Sequence, residues 1–88
     1  MRTDPKTSFL NDLKKVSGVT VKAKIEQVVL AVIKAPTIRD IPKLRKLKGY
    51  RNCYRIKVGD YRIGVIITGD LVTFERCLLR KAFFRFFP

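Results

Sequence analysis

Apolar and polar positions alternate along residues 54–67. Tyr54, Ile56 and Val58 fall on one side, with Arg55 and Lys57 on the other. A period of two predicts a strand. Tyr61, Ile63, Val65 and Ile67 repeat the pattern, opposed by Arg62 and Gly64. Gly59-Asp60 separates the two runs, and glycine accepts the positive φ of a type II′ hairpin turn. That turn sets the register: Val58 faces Tyr61, Lys57 faces Arg62 and Arg55 faces Gly64. One face is then apolar, and the other carries three cations beside a residue without a side chain. Like charges opposed across strands cost up to about 1 kcal/mol per pair. A polyanion docked over Gly64 would justify that cost; an ordinary solvated Lys/Arg face is the other reading.

Upstream the period becomes helical. Phe9, Leu10, Leu13 and Val16 share one helical face, with Thr7 or Ser8 as the expected cap and Asp12 early in the helix. Ser17-Gly18 breaks it. A second helix from Thr20 carries a stripe of Val21, Ile25, Val28, Val29, Val32 and Ile33, with Lys22, Lys24, Glu26 and Gln27 outward. Pro36 ends it. The pair reads as an αα-hairpin whose apolar faces cover the apolar face of the sheet. Residues 1–6 form a brief edge strand or a frayed end, and residues 37–46 a connector with one turn of helix. After the turn Thr68-Gly69-Asp70, residues 71–79 return as a strand with Val72, Phe74 and Leu78 toward the core. Arg76 falls on that side too, which demands a rim position or a slipped register. Four Phe in five residues, from Phe83 to Phe87, must be partly covered or form an apolar patch that invites a partner.

Charge changes the picture. The 88 residues carry a net charge of +13, a field that attracts nucleic acid, an anionic membrane or an acidic protein. Residues 43–88 hold twelve of the twenty Lys and Arg but three of the seven Asp and Glu. The anion-facing surface is therefore expected in the C-terminal half. There is no His, and the two cysteines, Cys53 and Cys77, make neither a disulfide framework nor a metal site. Neither has a His partner that would make it a nucleophile. No metal or cofactor is expected. No apolar run approaches the roughly 18 residues that span a bilayer, and no signal peptide is visible. The expected location is cytoplasmic.

The order helix, helix, then Lys-Leu-Lys-Gly-Tyr-Arg-Asn-Cys-Tyr-Arg-Ile-Lys-Val-Gly-Asp-Tyr-Arg-Ile-Gly, a strand, and a terminal Arg-Lys-x-x-Phe-Arg resembles the RelE/ParE superfamily of toxins from toxin–antitoxin modules. The resemblance covers essentially residues 1–88 as a single domain, and is strongest over 43–62 and 80–88. It implies an α+β fold: an αα-hairpin packed on a small twisted antiparallel β-sheet of three to four strands. RelE-type members are ribosome-dependent mRNA endonucleases. In them the 2′-hydroxyl attacks the adjacent phosphate without a metal, and basic residues of the concave sheet face stabilise the transition state. By position, Arg55 and Lys57 match the family's two strand lysines, Arg62 its arginine after the hairpin, and Arg80 its arginine near the C-terminus.

The implied roles are phosphate neutralisation by Arg55, Arg62 and Arg80, and general base by Lys57. Lys43, Arg45, Lys46, Lys48, Arg51, Lys81, Phe84 and Arg85 are the candidate RNA-binding residues, with Phe84 stacking on a base. Many relatives end in His-Arg-Lys-Asp-x-Tyr, where this chain reads Leu79-Arg80-Lys81-Ala82-Phe83-Phe84. The imidazole, carboxylate and phenol are missing, which implies a slow nuclease or one driven by Arg/Lys electrostatics alone. The implied partners are a cognate acidic or amphipathic antitoxin, covering the cationic face or displacing the Phe-rich tail, and the ribosome with its mRNA. The free chain is expected to be a monomer or weak dimer. Two alternatives stand beside this: a ParE-like inhibitor of gyrase, and a degenerate toxin that keeps only antitoxin binding.

Overall fold

The computed structural model describes residues 1–88. Its strands are β1 (Arg2–Pro5), β2 (Leu44–Lys46), β3 (Cys53–Val58), β4 (Tyr61–Thr68) and β5 (Leu71–Leu79). Its helices are α1 (Thr7–Lys15), α2 (Val19–Lys34) and α3 (Arg80–Phe86), with a single 3-10 turn at Ile38–Asp40. The fold is α+β, as the sequence predicts, but the sheet has five strands in the order β1-β5-β4-β3-β2. The edge strand offered for residues 1–6 is present as β1, and the strand not expected is the other edge, β2, in the 37–46 connector. β2 is three residues long and pairs antiparallel with β3, and β1 runs parallel to β5.

The hairpin register is the expected one: Val58 opposes Tyr61, Lys57 opposes Arg62 and Arg55 opposes Gly64. Gly59 has φ +59°, while Asp60 is not left-handed, as a type II′ turn requires. Ile56, Val58, Ile63, Val65, Ile67, Val72 and Phe74 point to the helical layer and are buried with Phe9, Val16, Ile25 and Val32. The α2 stripe divides accordingly: Ile25 and Val32 are buried, while Ile33 at the end of the helix is exposed.

Two local expectations, the cap of α1 and the inward side of Leu78, are corrected, and the slipped register offered for Arg76 is found. Neither Thr7 nor Ser8 caps α1, whose N-cap position is Lys6 with no side-chain cap. Ser8 instead donates its hydroxyl to the Glu75 carbonyl at 2.7 Å. The alternation in β5 breaks at a bulge: Phe74 pairs with Val65, Arg76 with Gly64, and Glu75 is the extra residue. The phase change carries Cys77 into the core, and Leu78 packs on the opposite face of the sheet. Arg76 leaves the core side and pairs with Asp12 of α1, Nε to Oδ2, at 2.7 Å.

That opposite face is not open. α3 folds back across it, burying Phe83 and Phe87 with Leu47 and Cys53, and with Ile66 and Leu78 at the margin. Burying each phenyl ring contributes about 1.5–3 kcal/mol. Seven residues are too few to hold a helix alone, so this packing is what keeps α3 formed. The expectation of a polyanion over Gly64 is overturned. A Cβ at Gly64 would lie 2.7 Å from Cγ and Cδ2 of Phe87. The ring of Phe87 occupies that place.

Candidate functional site

The register lays two rows of cations across the face that α3 partly covers. Arg45 opposes Arg55, Arg55 opposes Gly64, and Gly64 opposes Arg76. In the next row Lys57 opposes Arg62, and Arg62 opposes Leu78. Of these, only Arg76 has a carboxylate partner; the remaining ion pairs are Arg2–Asp70 and Lys6–Asp4. Arg55, Lys57, Arg62 and Arg80 therefore stand without a salt bridge.

Arg62 is the most enclosed of them, at 7% exposure. It is not a free surface cation. Its Nη1 donates at 2.9 Å to the carbonyls of Gly59 and Tyr61, bracing the turn that sets the register. Burial first, and then the charges of Arg55 and Arg80, push its guanidinium below the ordinary value, with Asp60 opposing them. An arginine stays charged under such a shift, so the site holds concentrated positive potential.

Arg80 reaches this group because β5 passes directly into α3. Its N–H donates to the Asp60 carbonyl at 2.8 Å, tying the first residue of α3 to the β3–β4 turn. A cleft of about 730 Å³ opens beside that junction, lined by Asp60, Leu79, Arg80, Lys81 and Phe84. Phe84 is 63% exposed and meets the ring of Phe83 edge-on at 5.0 Å. A smaller cleft of about 340 Å³ on its other side is lined by Leu47, Lys48, Tyr50, Phe84, Phe87 and Pro88. Phe84 thus lines both depressions, one holding Arg80 and Lys81 and the other Lys48, with Tyr50 also exposed. Exposed aromatic rings among cations suit stacking of unpaired bases.

The other expected RNA-binding residues are scattered. Arg45 turns its Nη1 onto the Leu44 carbonyl, and Lys46 donates Nζ to the Tyr50 carbonyl. Lys48, Arg51, Lys81 and Arg85 are exposed. Lys43, left-handed at φ +60°, lies elsewhere: with Lys24 and Lys57 it lines a separate cleft of about 550 Å³ between α2 and β3. Lys57 therefore touches both regions, and is exposed. Asp60 and Phe87 were not singled out from sequence for this site, and Tyr50 reads from sequence first as a loop residue near the hairpin mouth. The i, i+4 spacing of Phe83 and Phe87 was the available signal for a packed helix.

Cys53 and Cys77 are both buried free thiols. Burial, and secondarily Asp12, push the Cys77 thiol up to about 12, so it is inert at neutral pH. No helix is long and apolar enough to cross a membrane.

The chain is 38% identical over 82 residues to Toxin RelE3 of Methanocaldococcus jannaschii, covering 92% of each protein. This chain belongs to the RelE toxin family. No family model matches it. Among solved structures, the RelE fold is shared with the toxin of a RelB–RelE antitoxin–toxin complex from Methanococcus jannaschii. The TM-score is 0.80 at 35% identity, over 97% of this chain and 99% of that one. The intact Escherichia coli RelBE complex matches with a TM-score of 0.66 at 24% identity, covering 86% of this chain and 92% of that one. An archaeal RelE–RelB complex from Pyrococcus horikoshii OT3 matches at 0.71 and 17% identity, over 90% and 93%. At those lower identities the likeness is one of fold. The family is that of type II toxin–antitoxin toxins, on the RelE rather than the ParE side.

Proposed function

We propose that this RelE toxin is a ribosome-dependent mRNA endonuclease acting without a metal, and that a cognate RelB-like antitoxin of acidic character restrains it in the cytoplasm. The observation that carries this reading is the cluster of Arg55, Arg62 and Arg80, held together without a carboxylate partner beside an exposed aromatic. In-line attack by a 2′-hydroxyl builds negative charge on the non-bridging phosphate oxygens. Fixed guanidinium groups at that place stabilise the charge as it develops, and cost no reorganisation. Arg62, braced by two backbone carbonyls, is the most rigid of the three. Lys57, opposite it in the same row, takes the 2′-hydroxyl proton as the neutral amine and becomes the ammonium. Arg55 and Arg80 neutralise the phosphate, and Arg80 stabilises the departing 5′-oxygen. Phe84 stacks on the base beside the cut.

A second reading, a toxin that keeps its antitoxin but cuts slowly or not at all, draws on the same site. Leu79 and Phe84 line the cleft, and Ala82 lies between them on α3, where many relatives carry His, Tyr and Asp. The deciding experiment is induced expression in a bacterial host with primer extension on a translated reporter mRNA, for wild type, Arg55→Ala and Arg80→Ala. Arg62 is a poorer probe, because its removal also frees the turn. Growth arrest with codon-phased cuts in wild type, lost in both variants, is the expected result. Arrest without cuts moves the target to gyrase or elsewhere. No arrest from folded protein leaves the antitoxin-binding toxin.

A further inference from the structure

Gly64 is fully enclosed in the middle of the cation row, and the ring of Phe87 fills the place a side chain would take. α3 is held on this face at three points. Its first residue is tied by the Arg80 N–H to the Asp60 carbonyl. Its end is seated by Phe87 on Gly64. Beside that seat Arg76, itself held by Asp12, lies over the Phe86 ring with Cζ 5.7 Å from the centroid. Phe83 and Phe87 pack at 5.3 Å between centroids, and the Phe87 N–H closes on the Phe83 carbonyl at 2.9 Å.

We propose that Gly64 and Phe87 form a latch that positions Phe84 and Lys81 of α3 beside the cation cluster, and that glycine is required at 64 for this reason rather than to admit RNA. The inference rests on the reading of the site as an RNA site. Neither residue touches substrate; both act through the helix they hold. A seven-residue helix has no stability of its own to spare. Unseating its end leaves Arg80 anchored at the Asp60 carbonyl, but lets Phe84 and Lys81 move away from their cleft. A methyl group on residue 64 collides with ring carbons at 2.7–2.9 Å and cannot be accommodated without lifting the ring.

The test uses Gly64→Ala, Phe84→Ala and the double variant, with Phe87→Ala as a second way to open the latch that leaves the sheet untouched. Helix release is read first and without RNA. Amide exchange in α3 and tryptic cleavage after Lys81 and Arg85 should accelerate in Gly64→Ala and Phe87→Ala, while β3–β5 amides stay protected. Affinity for ribosomes programmed with a defined mRNA is read next. Gly64→Ala should lose about five- to a hundredfold, the loss expected when one stacked base is given up. The double variant should lose less than the sum of the two single losses, because both changes remove the Phe84 contact and only the Lys81 share is left for the latch to add. In single-turnover cleavage the half-saturating concentration should rise more than the rate constant falls.

Unchanged exchange in α3 overturns the latch. Accelerated exchange with additive losses in the double variant overturns the positioning role. Wild type that binds programmed ribosomes without cutting defeats the nuclease reading alone, since the affinity cycle still scores the latch. Wild type that does not bind overturns both.

Discussion

Cys77 sits where the β5 bulge has turned it inward, 2% exposed, with its backbone N–H donated to Asp12 Oδ2 at 2.9 Å. Its thiol titrates near 12 in the fold against 9.0 when free. The raised value means that the folded chain holds this proton more tightly than the unfolded one. Its contribution is fully present below pH 9 and is lost as pH climbs toward 12. Thermal melts over that range should show a steeper alkaline loss in wild type than in Cys77→Ala, and iodoacetamide at pH 8 should label residue 77 only on unfolding. That Cys77 is a small strand residue and no nucleophile was legible from its type and the lack of a His; that it is buried against the helices was not. Unbroken alternation from Val72 and Phe74 leads to Arg76 and Leu78; a cation on the core side marks a slipped register or a rim position, but no residue type places the extra residue at Glu75. The cation pair Lys57–Arg62 was legible, because one glycine fixes the turn.

At the scale of elements, α1 completes what β1 leaves unfinished. β1 follows β5 only as far as Pro5 opposite Phe74. Beyond it the outer edge of β5 would lose its backbone partners. Ser8 and Asp12, one helical turn apart, supply them at Glu75 and Cys77. The Asp12 carboxylate also takes Arg76 through Nε and Nη2, whose guanidinium is raised above its ordinary value by that contact. Asp12→Ala strands a buried N–H and a half-sheltered cation together and should cost about 2–4 kcal/mol in denaturant melts. Ser8→Ala, at an exposed carbonyl, should cost about 1 kcal/mol or less. An equal loss in both would deny the edge-covering role. The sequence assigned both side chains to the helix terminus because capping is a local rule. Their actual partners lie more than sixty residues away. β1 and β2 were hard to see for a related reason: four and three residues carry no readable period.

For the whole molecule, a net charge of +13 acts at a distance. Exposed cations outside the cluster, such as Lys48 and Arg51, raise the local concentration of RNA without shaping its transition state. Lys48→Ala and Arg51→Ala should each reduce the slope of log affinity against log salt by about 0.7 on single-stranded RNA. Arg55→Ala should cost turnover beyond its share of that slope. Filter binding across a salt series, with single-turnover cleavage, separates the two. The helical pair over the sheet, the hairpin and the uneven charge were all readable from period and composition. The closing of one sheet face by α3 was not, because it joins Gly64 to Phe87 through space.

The bulge in β5 also has a meaning for chain length. Glu75 is the residue without an opposite number, so its loss would leave Phe74 on Val65, Arg76 on Gly64 and Cys77 on Ile63. Of the nine positions of this strand, it can be spared without sending any neighbour to the wrong side of the sheet. A gap between relatives in this strand is therefore expected at 75. A gap placed anywhere in residues 71–74 would need a compensating insertion before the bulge.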